Sequence, residues 1–84
     1  MNPLILRVVV IDDEAIARQG LITRLKGLDN VEVVAECGNA EQALNAISLH
    51  KPNLLLVDIN MPKVSGIELV SRLQGKEQPM VIFI

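Results

Sequence analysis

Three runs of the chain are apolar without a break: Val8-Val9-Val10-Ile11, Leu54-Leu55-Leu56-Val57 and Met80-Val81-Ile82-Phe83-Ile84. A strand with one face in water alternates apolar and polar positions, so short unbroken runs suit strands covered on both faces, as in a parallel sheet. A fourth segment, Val31-Glu32-Val33-Val34-Ala35-Glu36, alternates in part and reads as an edge strand. Between the runs the period lengthens. Ala17, Leu21, Leu25 and Leu28 recur at steps of four, four and three, one face of a helix. Ala40, Ala43, Leu44 and Ile47 define a second helix, opened by Asn39 with Gln42 in the manner of a capping box and stopped by Pro52. Ser65 with Glu68 repeats the capping signal, and Ile67, Val70 and Leu73 form a third apolar face closed by Gly75. The order is strand, helix, strand, helix, strand, helix, strand. Such alternation predicts an α/β fold, a parallel sheet with helices over its faces and right-handed crossovers.

Composition narrows the class. The chain has 84 residues, 50% of them hydrophobic, too short for two ordinary domains and too apolar for a disordered segment. No apolar run approaches the ~20 residues of a membrane-spanning helix. The start of the chain does not read as a secretion signal. The one cysteine, Cys37, cannot form an internal disulfide, which fits a reducing compartment and a cytoplasmic protein. A net charge of −2 gives no electrostatic case for nucleic-acid binding by this segment.

In open parallel sheets, ligands bind beyond the carboxyl ends of the strands, where strand order reverses. Asp12, Asp13 and Glu14 follow the first strand, and Asp58 follows the third, ahead of Ile59-Asn60-Met61-Pro62. If those strands are neighbours, their terminal carboxylates converge on one crevice and repel one another unless a cation lies between them. An all-oxygen donor set suits a hard divalent ion such as Mg²⁺. Taken alone, Asp12 or Asp13 is more simply a cap for the first helix. Asp58 lies too far ahead of Ser65 to cap the next helix, and convergence favours the metal site.

With these residues in place the chain resembles the receiver domain of bacterial response regulators. The likeness rests on Asp12-Asp13-Glu14 after an apolar strand and on Asp58-x-x-Met61-Pro62-x-x-x-Gly66 after another. It runs from about Arg7 to Ile84. The resemblance implies a flavodoxin-like sheet of order 2-1-3-4, with Asp58 as the phosphoacceptor. Asp13 and Asp58 would ligate Mg²⁺ directly, Asp12 through water and Asn60 through its backbone carbonyl. Met61 and Pro62 would shape the loop, with Gly66 near the start of the following helix. The implied partners are a sensor histidine kinase and an output domain, most often DNA-binding. The Glu-Gln-Pro-Met-Val-Ile-Phe-Ile ending is similar to receivers attached to LytTR-type domains.

Against that architecture, residues 1–84 are expected to be a receiver cut after its fourth strand. The family's fourth helix, fifth strand and fifth helix are missing, and with them its phosphate-contacting Ser or Thr and its Lys. The last strand, residues 80–84, would then be an open apolar edge, able to pair with a second copy of the chain. The alternative function is a receiver-like fragment that is not phosphorylated and acts through its exposed surfaces. A phosphohydrolase of the haloacid dehalogenase type is disfavoured, because Asp12-Asp13-Glu14 lacks the Asp-x-Asp spacing. Cys37 is expected in the core or at its rim, His50 at a helix end, and Lys63 in a solvated loop.

Overall fold

The structure, a computed structural model, describes residues 4–59 and 78–84. Its elements are β1 (Leu6–Ile11), α1 (Ala15–Lys26), β2 (Val31–Cys37), α2 (Ala40–His50), β3 (Leu54–Val57) and β4 (Met80–Phe83). The strands form one parallel sheet in the order β2-β1-β3-β4. The expected sheet order is therefore observed, with β2 at an edge. The helix expected over Ser65–Gly75 lies outside the described residues, as do Asn60, Met61, Pro62, Lys63 and Gly66.

The unbroken apolar runs are explained by what covers the two faces. Val8, Val10, Leu54 and Leu56 point to one side and join Ile22, with Leu21 and Leu25 of α1 packed against them. Val9, Ile11, Leu55 and Val57 point to the other and join Ala40, Ala43 and Ala46 of α2. Residues 8–11 and Leu54–Val57 thus feed two cores, and each of these positions must be apolar. Fully burying side chains of this size stabilises the fold by roughly 1.5–3 kcal/mol each.

The helices keep most of their expected limits. Asn39 caps α2, its side chain accepting from the Gln42 N–H at 2.8 Å, while Gln42 Oε1 accepts from the Gly38 N–H at 2.8 Å. The reciprocal bond of the box therefore lands one residue earlier than the usual pattern. α2 ends at His50, and Lys51 turns the chain in the left-handed region, φ 47°, ahead of Pro52. In α1 the buried stripe differs from the expected one. Ile22 is the buried residue, flanked by half-buried Leu21 and Leu25. Ala17 is exposed, and Leu28 lies beyond the helix end with 54% of its surface in solvent. The helix stops at Lys26 because Gly27 closes it and the chain must turn into β2, which removes Leu28 from the face its spacing implied.

At the amino end of the sheet, Asn53 ties three strands together. Its Oδ1 accepts from the Arg7 N–H at 2.8 Å, its N–H donates to the Arg7 carbonyl, and its carbonyl accepts from the Met80 N–H. That clamp fixes the register in which Ile11 pairs with Val57 at the opposite, carboxyl end.

Candidate functional site

The ladder continues one residue past each of the central strands. The Asp12 N–H donates to the Cys37 carbonyl at 3.0 Å, and the Asp58 N–H donates to the Ile11 carbonyl at 2.9 Å. Both aspartates therefore leave a backbone that is still hydrogen-bonded to its neighbour. On the far side of β3, the Ile84 N–H donates to the Val57 carbonyl and the Ile59 N–H to the Ile84 carbonyl.

This placement brings carboxylate oxygens of Asp12, Asp13 and Asp58 within 4.8 Å of one another. Asp12 is buried, Asp58 half-buried and Asp13 exposed, so the cluster opens to solvent through Asp13. Asp12 Oδ1 accepts from the Glu14 N–H at 2.9 Å, a tight turn that leads the chain into α1. Glu14 itself occupies the cap position, without a side-chain cap bond. The acidic pair is thus not spent on capping the helix. Three converging carboxyl groups offer an all-oxygen donor set, which suits a small, hard cation.

One residue that the linear pattern did not single out reaches the cluster. Arg18, on α1, donates from Nη1 to the Asp12 carbonyl and from Nε to Glu36 Oε1 at 2.9 Å. Gln19 Nε2 donates to the same Glu36 oxygen at 2.9 Å. The Arg18 hydrogen bond is the main cause holding the Glu36 carboxyl below its usual 4.5, against a smaller opposing effect of desolvation. Burial pushes the neighbouring Cys37 thiol above its usual 9.0, partly opposed by the Arg18 charge. Cys37 is 2% exposed and belongs to the core facing α2, as a structural cysteine should.

The family model for the response regulator receiver domain matches residues 8–84. The chain is a response regulator receiver domain. Among curated relatives, the transcriptional regulatory protein BtsR of Salmonella typhi is 39% identical over 79 residues, covering 94% of this chain and 33% of the relative. BtsR of Escherichia coli K12 is 35% identical over the same share of each chain. This receiver sequence thus spans about a third of the length of the regulators it matches. Among solved structures, the receiver domain of the putative response regulator NarL from Mycobacterium tuberculosis superposes with a TM-score of 0.85 at 33% identity. The match covers 96% of this receiver and 66% of that chain. CheY6 of R. sphaeroides, solved with the P1 domain of CheA3, appears in a match of TM-score 0.82 and 27% identity, covering 96% and 64%. Among the described residues no helix is long and apolar enough to cross a membrane.

Proposed function

We propose that this receiver takes a phosphoryl group on Asp58 in a two-component pathway, with Mg²⁺ as its cofactor. The observation that carries the reading is the meeting of Asp12, Asp13 and Asp58 within 4.8 Å at the carboxyl ends of β1 and β3. The donor set fits the ion: all oxygen, anionic, and opened to water on the Asp13 side. Asp13 and Asp58 would hold it directly, Asp12 through water, and Asn60 through its carbonyl. When bound, the cation supplies charge neutralisation for the incoming phosphoryl oxygens.

The protein's own part follows from its geometry. Asp58 presents a carboxylate oxygen from a half-buried position fixed by its backbone bond to Ile11. That oxygen attacks phosphorus, forming the O–P bond of an acyl phosphate. The P–N bond of a phosphohistidine donor breaks, and its electron pair stays on the imidazole nitrogen, which is then protonated. The side chains of Asp12 and Asp13 lie beside that of Asp58, so the reaction places a phosphoryl group in an already acidic site. A solved neighbour, the receiver of RcsB from Salmonella enterica, was crystallised in the presence of phosphomimetic BeF₃⁻, which supports the class of ligand. The solved complex of CheY6 with the P1 domain of CheA3 supports a protein partner for the receiver, and the proposed donor is a sensor histidine kinase. In a protein built like its relatives, which are named transcriptional regulators and are about three times as long, the modification would control an output domain of the DNA-binding kind. The role is regulatory, in the cytoplasm.

Incubating the chain and its D58N variant with acetyl phosphate and Mg²⁺, then weighing both intact, tests the acceptor. An adduct on the parent and none on the variant is expected. No adduct on a folded parent would favour the second reading, an interaction module. That reading draws on β4, where Met80, Ile82 and Phe83 are exposed, and on exposed Ile84 just beyond it. Among the described residues β3 is the one strand paired with β4. Pairing between copies through residues 80–84 would appear as concentration-dependent mass in light scattering.

A further inference from the structure

β2 does not pair evenly with β1. Val8 lies opposite Val33, but Val9 lies opposite Ala35, so Val34 is an extra residue in the edge strand. A bulge of this kind re-aims every side chain beyond it. Before it, Val31 and Val33 pack on the α1 face. After it, Ala35 and Cys37 pack on the α2 face, with Val34 beside them. Strict alternation from Val33 would have sent Glu36 to the α2 face and Cys37 to α1. The bulge reverses both, and Glu36 meets Arg18 and Gln19 of α1.

Arg18 uses that anchor to reach further. Its side chain is 17% exposed, against 42% for Glu36. With Nε on Glu36, its Nη1 bonds the carbonyl of Asp12. An ion pair serving only to join α1 to β2 needs the Glu36 contact alone. The second bond falls on the residue whose carboxylate enters the acidic cluster, at the joint between β1 and the turn to Glu14. The Asp12 peptide is then gripped from three directions: its N–H by Cys37, its Oδ1 by the Glu14 N–H, and its carbonyl by Arg18.

We propose that Arg18 is a positioning residue for the acidic site, aimed by Glu36 across the β2 bulge, and that it holds the Asp12–Asp13 turn in the geometry that binds the divalent cation. Its action on metal affinity rests on the Mg²⁺ reading above; its action on the turn does not. Outer contacts that orient metal ligands typically change affinity when removed.

The experiment has two readouts on the full chain. Mg²⁺ affinity is measured by calorimetry, and amide exchange of Asp12 and Glu14 is measured by NMR against Val9 and Val10 as internal references. In R18M the Mg²⁺ dissociation constant is expected to rise by about 10-fold. Exchange at Asp12 and Glu14 is expected to quicken about 10-fold relative to the β1 references. R18K, which keeps the charge but not the fork, should fall between wild type and R18M. E36Q, which keeps an acceptor for Arg18, should move both readouts less than R18M. Affinity within a factor of about two of wild type, with exchange rising no more than in β1, would overturn the proposal. If R18M fails to fold, R18K is read by the same criterion. Wild-type protein that binds no Mg²⁺ would sink the metal reading, while the exchange comparison still decides whether Arg18 positions the turn.

Discussion

Lys51 holds the chain at φ 47° and ψ 62° between α2 and Pro52, the one non-glycine residue with positive φ among those described. An L-residue there costs roughly 1–2 kcal/mol, because its Cβ crowds the following carbonyl. The conformation is nonetheless fixed from both sides: the Lys51 N–H closes the helix on the Ile47 carbonyl at 2.9 Å, and the Lys51 carbonyl accepts from Arg7 Nη1 at 3.3 Å. Replacing Lys51 by Gly removes the crowding and keeps both bonds, while the freer unfolded chain returns roughly 0.5–1 kcal/mol. The net expectation is a gain of about 0.5–1 kcal/mol. For a domain of this size that raises the melting temperature by roughly 2–8 °C. Urea unfolding followed by circular dichroism should show a higher midpoint with an unchanged slope. K51A is the control, since it removes the same side chain but keeps the Cβ, and it should stay within about 0.5 kcal/mol of wild type. A gain in K51A equal to that in K51G, or a loss in K51G, would refute the argument.

Further outcomes at three positions can be checked on the same protein. Gly20 lies inside α1 with nothing within 4 Å of a Cβ placed on it, so G20A should stabilise the domain by roughly 0.5–1 kcal/mol in urea titration. Cys37 should react with a thiol reagent at mildly alkaline pH far more slowly in buffer than in urea. Because burial raises its pKa in the folded state, stability should also fall as pH rises through and above 9.0, where the unfolded thiol ionises first; C37A should lack that fall. Glu36 behaves oppositely. Its pKa is lowered in the folded state, so its contribution is present above 4.5 and fades as pH drops further. The pair is partly exposed, so E36Q should cost only about 0.2–1 kcal/mol at pH 7, with the difference vanishing near the acid limit.

The sheet was readable because burial on both faces leaves no polar gaps in residues 8–11 of β1 or in β3, and because the helices between them shift the period. The converging aspartates were readable for a related reason. Parallel strands in neighbouring positions end at the same height, so residues just past Ile11 and Val57 must meet once those two pair. What the pattern could not carry was the bulge. Val31-Glu32-Val33-Val34-Ala35-Glu36 looks like imperfect alternation, and the doubled valine is the one trace of the extra residue. Without the bulge the face of Glu36 is assigned wrongly, and its pairing with Arg18 has no signal. The stripe of α1 failed more simply. Spacing alone admitted Ala17 and Leu28, but the exit at Gly27 and the line of contact with β1 select Ile22.

These details bear on why an acidic site can exist here at all. Three carboxyl groups meeting within 4.8 Å need a rigid support. The backbone supplies it. Asp12 and Asp58 each extend a ladder whose strands are anchored by fully buried Val8, Val9, Val10, Ile11, Leu55 and Val57. Spreading the carboxylates apart would mean breaking those terminal bonds or shifting packed strands, which a close-packed core resists. The cost of bringing these groups together is thus met when the domain folds, before any ligand arrives. Asp13 lies one residue beyond that ladder and is exposed, which makes its turn the least constrained part of the cluster. It is also where Arg18 attaches, at the preceding carbonyl. A site whose affinity depends on preorganised charge should be most sensitive at that joint, not at the strands that carry it.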